Sequence, residues 1–429
     1  MVYLIEMNLT YLALKGLKEI IDNKLSINKV TNHFKMEYNF SKEDYEILSK
    51  IINGTIRRFY LLRLQALEAY PNFEEDDDEI YLLSLVIYQL IYLKKSIANF
   101  KVIEKAVDTV KLCNLRFDLE DLKNKLETIS KTKFNFSKEI TKDFYSYQSY
   151  MFSTPLWLIK MWSKQYGDDV LINLLHANQV KPLVYVKQNH LKITEEELLK
   201  EKIYNKVNIL KEAFVYLSNV SLSLTDDYKK GYVFKQDLSY QLVCNSIDLI
   251  PHAKVLHLNG NTASFSSNLA IRLKQVNGNI ITTFEKSDLY RKALYMYQRL
   301  SLDNAKAFFS STFDLKNKIN EKFDVVICSP NSSSLGQVNS KNSILLTLKE
   351  NEISQFILNE KKTLKEANLY LNKFGKLLYV VNTINLDETV NVISDFIKNN
   401  PNYHLIDQRQ IFPYEFNSYG VYYAILGKD

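Results

Sequence analysis

The segment KVLHLNGNTASFSS, residues 254–267, contains the pattern that indicates the fold of the C-terminal part of this chain. Its first five residues are typical of a buried β-strand, and the polar loop that follows leads into helical spacing. A strand, a loop and a helix in this order begin many nucleotide-binding α/β folds, in which a cofactor lies against a glycine-rich loop. This loop contains one glycine, Gly260. The stretch therefore predicts the fold and leaves open whether a cofactor binds.

Strands and helices alternate from about residue 235 onward. Predicted strands include NIITTFE (279–285), FDVVICS (323–329) and KLLYVVN (376–382), and helical stretches such as LYRKALYMYQRL (289–300) lie between them. Such alternation indicates a mostly parallel, doubly wound sheet. Ligands of these sheets bind just beyond the carboxyl ends of the strands. We therefore expect the functional residues in the loops that follow the strands.

The first part of the chain has a helical pattern. From Leu9 to about Leu112, apolar residues recur at spacings of three and four. Ser41 is a predicted N-cap, and the acids at 76–79 indicate a helix start rather than a metal site. Short helices then mix with a predicted strand in KPLVYVKQN (181–189). The sequence predicts three domains: residues 1–134 all-α, 135–230 small α+β, and 231–429 α/β.

Length and composition limit the class of protein. A chain of 429 residues is too long for one ordinary core. We find no apolar run long enough to span a bilayer and no signal-peptide pattern at the start, so we expect a cytoplasmic protein. Cys113, Cys244 and Cys328 are far apart, which argues against a disulfide framework and a zinc site. The dispersed histidines show no Ser-His-Asp order, and we expect no metal.

The net charge of +6 lies entirely in residues 151–429. Residues 1–150 contain 22 basic and 22 acidic side chains, which leaves 33 of the 55 Lys and Arg and 27 of the 49 Asp and Glu for the remainder. Such an excess of positive charge is compatible with a polyanion as binding partner, because Lys and Arg neutralise phosphates. Basic residues on a helix, at a strand end or beside aromatics are candidate RNA contacts: Arg57, Arg58, Lys187, Lys229, Lys230 and Lys235. A solvated surface is the alternative for each.

Three residues at predicted strand ends have alternative interpretations. Glu285 ends IITTFE, where a carboxylate either accepts hydrogen bonds from the ribose of an adenosine-bearing cofactor or faces solvent. Cys328 lies at the end of a strand, and we expect a buried, inert thiol. We expect His257 to be a sheet residue with a local hydrogen bond.

Several segments resemble the bacterial 16S rRNA cytosine-C5 methyltransferases of the Sun/Fmu (RsmB) group, nearly end to end. INGTIRRFYLLRLQAL (52–67) resembles the NusB-like RNA-binding domain of that group. YVFKQDLSYQLV (232–243) resembles the Gln-Asp-x-Ser segment that leads into its catalytic domain. Lys187 stands in place of a family arginine, and Asn189 keeps the family asparagine. The resemblance implies an all-α NusB-like domain, a small α+β linking domain and a Rossmann-like class I methyltransferase domain.

The resemblance also implies a chemistry. Members of the group methylate carbon 5 of cytosine with S-adenosylmethionine, using one cysteine as nucleophile and a second in product release. It places the nucleophile at Asn382, in YVVNT, and the second cysteine at Ser332, in SPNSSSLG, or at Asn331 after a one-residue shift. Neither Asn nor Ser supplies a thiolate. In the resemblance, Phe265 stands at the family lysine, and Asp314 or Thr312 stands at the second family acid. The implied cofactor positions are Asn259, Gly260, Ser264, Phe265, Glu285, Asp314 and Ser329.

The segments that specify the fold resemble the family, whereas the loops that carry its chemistry differ from it. The rate losses from the missing cysteines and the altered cofactor loop multiply, so we expect a catalytically inactive member of the family. We expect this protein to bind RNA, to act in ribosome assembly and to have a protein partner at the NusB-like domain. Its binding of S-adenosylmethionine is doubtful. The first alternative is an active 16S rRNA 5-methylcytosine methyltransferase that uses Ser332, Cys328 or a reshaped loop. The second is a NusB-like transcription or antitermination partner.

Overall fold

The structure, a computed structural model, describes residues 8–429 apart from the side chain of Asn317. The chain divides into two compact units, Met1–Gln179 with Lys341–Glu350, and Val180–Ser340 with Asn351–Asp429. A helical region precedes a mixed sheet with flanking helices, so the predicted fold class is confirmed. The three-domain boundaries stay a prediction.

The first unit is helical. Asn8 begins its first helix by accepting hydrogen bonds from the amides of Thr10 and Tyr11, and Ser41 caps the third helix through the amide of Asp44, as predicted. The continuous pattern between residues 42 and 69 divides into two helices at Arg58. The helices are α1 (Leu9–Asp22), α2 (Ile27–Glu37), α3 (Lys42–Arg57), α4 (Phe59–Ala69), α5 (Asp78–Tyr92), α6 (Asn99–Cys113), α7 (Leu119–Lys131), α8 (Lys138–Lys142), α9 (Phe144–Met151), α10 (Leu156–Tyr166) and α11 (Asp168–Gln179).

Close packing fixes the core of this unit. Gly54 of α3 lies against Tyr88 of α5, and a Cβ on Gly54 would lie only 1.9 Å from the ring carbon Cζ of Tyr88. Leu17, Phe34 and Ile51 are fully buried around this contact region of the helices. The acids at the start of α5 act as predicted for a helix N-terminus, where negative charge is stabilised.

A small antiparallel sheet opens the second unit. Its strand order is β2-β3-β1-β4, and Val186, Phe214 and Val233 form its core. The last strand of this sheet lies just beyond residue 230, the predicted end of the small domain. The elements are β1 (Tyr185–Gln188), α12 (Glu195–Leu199), β2 (Tyr204–Lys206), β3 (Ala213–Tyr216), α13 (Asp226–Lys230) and β4 (Val233–Lys235).

A seven-stranded sheet forms the rest of the second unit, in the order β10-β11-β9-β8-β5-β6-β7. The strands from β9 to β7 are parallel, and β10 and β11 are antiparallel. The elements are α14 (Leu238–Ser246), β5 (Lys254–Leu258), α15 (Ala263–Lys274), β6 (Asn279–Phe284), α16 (Ser287–Leu300), β7 (Ala305–Phe309), β8 (Phe323–Cys328), α18 (Ile353–Asn368), β9 (Leu371–Val381), α19 (Val390–Asn399), β10 (Tyr403–Ile411), α20 (Pro413–Phe416) and β11 (Val421–Lys428), while α17 (Ile344–Thr347), between β8 and α18 in the chain, belongs to the first unit.

Both faces of this sheet are covered, because side chains alternate along each strand. Val255 packs with α15 and α16, whereas its neighbour Leu256 packs with α18 and α19 on the opposite face. Since β5, β8 and β9 are adjacent and parallel, the loops after them lie side by side at the carboxyl edge of the sheet. No helix within residues 8–429 is both long and apolar enough to cross a membrane.

Candidate functional site

The loop after β5 is bonded to the neighbouring strand β6. The backbone amide of Asn259 donates to Oγ1 of Thr283 at 2.9 Å, and the amide of Gly260 donates to the Thr283 carbonyl at 2.7 Å. A Cβ on Gly260 would lie 2.6 Å from Cγ2 of Thr282 and 2.9 Å from Cε1 of Phe284. The single glycine is therefore required for packing against β6, and the two amides are already used within the protein.

Phe265 lies in the first turn of α15 and is buried, with 4% of its surface exposed. Its ring is 5.3 Å from that of His257 and 5.9 Å from that of Tyr240, measured between centroids. Ser264 beside it points its hydroxyl at Thr262, at 2.9 Å. The position assigned to a family lysine thus contributes an aromatic contact to the core.

The Gln-Asp-x-Ser segment positions Tyr240. Asp237 caps α14 by accepting from the amide of Ser239 at 3.0 Å, and it also accepts from the amide of Tyr419 at 3.2 Å. Burial raises the pKa of Asp237 to about 6. Because α14 begins at this cap, Tyr240 is held at the carboxyl edge of the sheet. Its phenol donates a hydrogen bond to the side-chain oxygen of Asn382.

The loops after β8 and β9 are joined to each other. The amide of Gly336 donates to the carbonyl of Asn382 at 3.0 Å, and the hydroxyls of Ser333 and Thr383 are 2.9 Å apart. Ser332 and Asn382, the two positions of the family cysteines, are both half-buried in these loops. The structure thus brings the two loops together, and neither position carries sulfur.

A buried carboxylate that sequence reasoning missed holds both loops. Glu388 accepts hydrogen bonds from the amide of Ser333 at 2.7 Å, Oγ1 of Thr383 at 3.2 Å and Nδ2 of Asn385 at 3.1 Å. Burial raises its pKa. Nothing in the local sequence marks Glu388, because one of its partners comes from a loop more than fifty residues away.

His257 and Ser329 meet at the ends of β5 and β8, with Nε2 and Oγ 3.0 Å apart. The predicted local hydrogen bond of His257 is confirmed. Burial lowers the pKa of His257 to about 3, so the imidazole is neutral, and its Nδ1 is buried without a hydrogen-bond partner. An imidazole with so low a pKa is a weak base near neutral pH. The pair ties two strands and does not form an activated nucleophile.

Glu285 follows β6 and is exposed to solvent. Its Oε1 accepts from the amide of Thr312 at 3.4 Å, whereas the carboxylate of Asp314 accepts from Oγ of Ser311 at 2.7 Å in its own turn. An exposed carboxylate at this position fits a ribose. In the loop after β5, the amides of Asn259 and Gly260 donate to Thr283 and are not free to donate to S-adenosylmethionine.

The cysteines are poor nucleophiles. Cys244 and Cys328 are fully buried, as predicted for Cys328. Burial raises the pKa of Cys244 to about 12 and that of Cys328 well above its ordinary value. The thiol of Cys113, in the first unit, is half-buried and its pKa is also raised by burial. Each thiol therefore stays protonated near neutral pH. The described residues include no group of His, Cys, Asp and Glu that could hold a metal ion.

Several candidate RNA contacts already have partners within the protein. Arg57 donates from Nη1 to the carbonyl of Gln179 at 2.9 Å, and the Arg58 guanidinium lies 4.5 Å from the ring centroid of Tyr92. Lys187 is 7% exposed, and its ammonium is 2.6 Å from Glu212. Although burial opposes it, hydrogen bonds from His190 and Lys187 lower the pKa of Glu212 to about 2.

The remaining candidates lie at the surface of the small sheet. Lys229 and Lys230 end α13, and Lys235 ends β4, all with exposed side chains. Lys229 is 3.8 Å from Asp226, and the Lys230 ammonium is 5.7 Å from the ring centroid of Tyr232. These three lysines can reach a phosphate without breaking a buried ion pair, and their part in RNA binding stays a prediction.

Comparisons with known proteins agree with this architecture. A profile of the family described as 16S rRNA methyltransferase RsmB/F matches residues 266–424, and one of the RsmF/B-like ferredoxin-like domain matches residues 154–204. The chain is 23% identical to the probable ribosomal RNA small subunit methyltransferase B of Bacillus subtilis (strain 168), over 91% of this chain and 88% of that protein. It is also 23% identical to ribosomal RNA small subunit methyltransferase B of Photorhabdus laumondii, over 98% of this chain and 99% of that protein.

Solved structures share the fold. The crystal structure of PH0851 covers 98% of each chain with a TM-score of 0.78 at 16% identity. That of NSun6 from Pyrococcus horikoshii covers 64% of this chain and 98% of its own, with a TM-score of 0.59 at 14% identity. At these identities the likeness shows the fold alone. The sequence matches add one conclusion: residues 266–424 carry the domain described as 16S rRNA methyltransferase RsmB/F, and residues 154–204 carry the ferredoxin-like domain of RsmF/B-like proteins.

Proposed function

We propose that this protein is a catalytically inactive member of the RsmB/F family that binds ribosomal RNA and acts in ribosome assembly. One observation carries the proposal: the two positions of the family cysteines are Asn382 and Ser332, and the amide of Asn382 is bonded to Tyr240. An amide cannot form the covalent adduct that the family chemistry needs. Removal of a covalent nucleophile alone costs a rate factor on the order of 10⁴ or more.

No other thiol replaces the missing ones. Cys328 is the cysteine closest in sequence to Ser332, but its buried sulfur and raised pKa disfavour a thiolate. Ser329 has only the weakly basic His257 to accept its proton. These features support an inactive protein over one with reassigned catalytic residues.

Weak or absent S-adenosylmethionine binding is part of the proposal. The amides of Asn259 and Gly260 donate to Thr283, and Phe265 replaces a polar contact. A cofactor that accepted hydrogen bonds from these two amides would displace Thr283, and a buried carbonyl left without a partner costs about 1–3 kcal/mol. Glu285 is an assigned position whose exposure suits its family role.

RNA binding is supported by charge and by the relatives. The net charge of the chain is +6, and Lys229, Lys230 and Lys235 are exposed on the small sheet. The relatives named above are ribosomal RNA methyltransferases. We propose that residues 1–134 form an NusB-like domain that contacts RNA or a protein partner, residues 135–230 a linking domain, residues 231–429 a Rossmann-like core, and that the protein works in the cytoplasm.

A methylation assay tests the proposal. The purified protein is incubated with small-subunit RNA and labelled S-adenosylmethionine, and the Bacillus subtilis relative serves as the comparison enzyme. We expect no 5-methylcytosine above the level without enzyme, and clear formation of it would overturn the proposal. Crosslinking to RNA in cells, followed by sequencing, should recover small-subunit RNA. Recovery of a protein partner without RNA would instead favour the transcription or antitermination function.

An active methyltransferase with non-standard residues is the second candidate, because Glu285 is exposed at the position of a ribose-binding acid. Calorimetry separates the two candidates. Tight binding of S-adenosylmethionine that is lost in Glu285→Ala would favour the active enzyme, whereas absence of binding supports the inactive one.

A further inference from the structure

Phe374 combines an unfavourable backbone conformation with an exposed ring. Its φ angle is +63°, in the left-handed region, and 78% of its surface is exposed. Bulky side chains rarely adopt a positive φ, because Cβ approaches the following carbonyl. Packing does not compensate for this strain, since the ring has little contact with the rest of the protein. Strain of this kind on a surface aromatic indicates a role outside the folded core.

A bulge in β9 holds Phe374 in place. Phe323 pairs with Leu371 but Val325 pairs with Lys376, so residues 372–375 lie opposite Asp324 alone. Nδ2 of Asn372 donates to one oxygen of Asp324 at 2.9 Å, and the amide of Lys254 donates to the other at 2.9 Å. Asp324 thereby attaches the bulge, through Asn372, to the starts of β5 and β8.

One lysine, Lys373, lies beside this ring. The ammonium of Lys373 lies 4.8 Å from the ring centroid, and that of Lys322 donates to the carbonyl of Leu369. Within the part of the chain that the structure describes, neither of these two lysines makes an ion pair, whereas Lys376 pairs with Asp248 and Lys254 with Glu321. The ammonium of Lys373 next to Phe374 is therefore not held by a carboxylate of the described residues within ion-pair distance.

We propose that Phe374 and Lys373, here called the bulge surface, bind single-stranded RNA, with one base stacked on the phenyl ring and an adjacent phosphate at the Lys373 ammonium. Stacking on an aromatic side chain beside a basic residue is the usual physical basis of binding to unpaired bases. A polyanion matches the unpaired ammonium group of Lys373 better than an uncharged protein surface does. The inference rests on the RNA binding proposed above and assigns it a second, separate contact.

The bulge surface lies at the opposite edge of the sheet from the family's catalytic positions. Phe374 is near the start of β9 and Asn382 follows its end, and eight residues of extended strand span about 26 Å. An RNA that contacts both would cross the length of the sheet. The bulge surface therefore adds affinity without depending on the loops that have lost their chemistry.

Substitutions at Phe374 test this contact without unfolding the protein. Phe374→Gly removes the ring and also relieves the positive φ, so it should raise the thermal midpoint of unfolding while weakening RNA binding. We expect about tenfold weaker binding of fluorescein-labelled oligoadenylate at low salt, measured by anisotropy, for Phe374→Gly and Phe374→Ala. Phe374→Trp should bind as the wild type does. Lys373→Gln should weaken binding and reduce its salt dependence.

Leu358→Ala is the matched control, because Leu358 is an apolar residue of the same unit with 60% of its surface exposed. It should leave binding unchanged. If the wild type binds oligoadenylate and all Phe374 variants bind equally well, the bulge surface is not an RNA contact and the proposed function stands. If the wild type binds neither oligoadenylate nor small-subunit RNA, both proposals fail. Ultraviolet crosslinking that attaches RNA to the peptide containing Phe374 would support the inference directly.

Discussion

The phenol of Tyr240 donates a hydrogen bond to the side-chain oxygen of Asn382, across 142 residues of sequence. The Tyr240 ring also contacts Phe265, which contacts His257, and His257 bonds to Ser329. This continuous series connects the loops after β5, β8 and β9 through side chains. The position of the family nucleophile is thereby part of the packing of this chain.

Restoring sulfur should not restore activity. Asn382→Cys combined with Ser332→Cys supplies both family thiols, but the loop after β5 still donates its amides to Thr283. We expect no methyl transfer to small-subunit RNA from labelled S-adenosylmethionine, with the Bacillus subtilis relative as the positive control. The loss of the Tyr240 hydrogen bond should cost about 1 kcal/mol of unfolding free energy. Measurable 5-methylcytosine from this variant would show that the cofactor loop is functional.

Gly260→Ala should destabilise the protein by about 1–3 kcal/mol, because its Cβ would overlap Cγ2 of Thr282 and the ring of Phe284. Urea denaturation followed by circular dichroism measures the change. Thr282→Ser removes the nearer methyl group, so Gly260→Ala should cost less unfolding free energy in the Thr282→Ser background than in the wild type. An equal cost in both backgrounds would argue against this contact.

Native thiol reactivity should distinguish the three cysteines. Cys244 and Cys328 are fully buried with raised pKa values, whereas Cys113 is half-buried. Ellman's reagent should label Cys113 alone, slowly, in the folded protein and all three thiols in urea. Cys113→Ser should abolish the native reaction. Rapid labelling of Cys328 in the folded state would revive it as a candidate nucleophile.

Glu360 should make stability fall as pH rises. Burial, and then the charge of Glu388, raises the pKa of Glu360 from 4.5 to about 10. A group whose pKa is raised by folding contributes its full stabilisation below about pH 4.5 and loses it progressively toward about pH 10. Glu360→Gln has no proton to lose, so at pH 8 it should be more stable than the wild type by on the order of 2–4 kcal/mol.

Urea denaturation of both proteins between pH 5 and pH 8 measures this effect. The wild type should lose stability across the range relative to Glu360→Gln. Glu366→Gln, on the same helix, serves as the control and should follow the wild-type curve. If the wild type and Glu360→Gln lose stability in parallel, Glu360 is not the titrating group.

The sequence alone predicts the fold class, the cap at Ser41, the burial of Cys328 and the resemblance to one family. These depend on periodicity and on the chemistry of consecutive residues, which a single chain displays directly. It also identified Asn382 and Ser332 as positions without sulfur. None of these conclusions required knowledge of which strands are neighbours.

The three-dimensional structure was needed to show which side chains meet. Three contacts join residues that are distant along the chain: Gly260 packs on Thr282, two loops meet at Glu388, and the buried Lys187 pairs with Glu212. Their contacts depend on strand order and register, which local patterns do not encode. For the same reason, the sequence could not show whether the loop after β5 has amides free to bind a cofactor. The structure shows that the amides of Asn259 and Gly260 donate to Thr283.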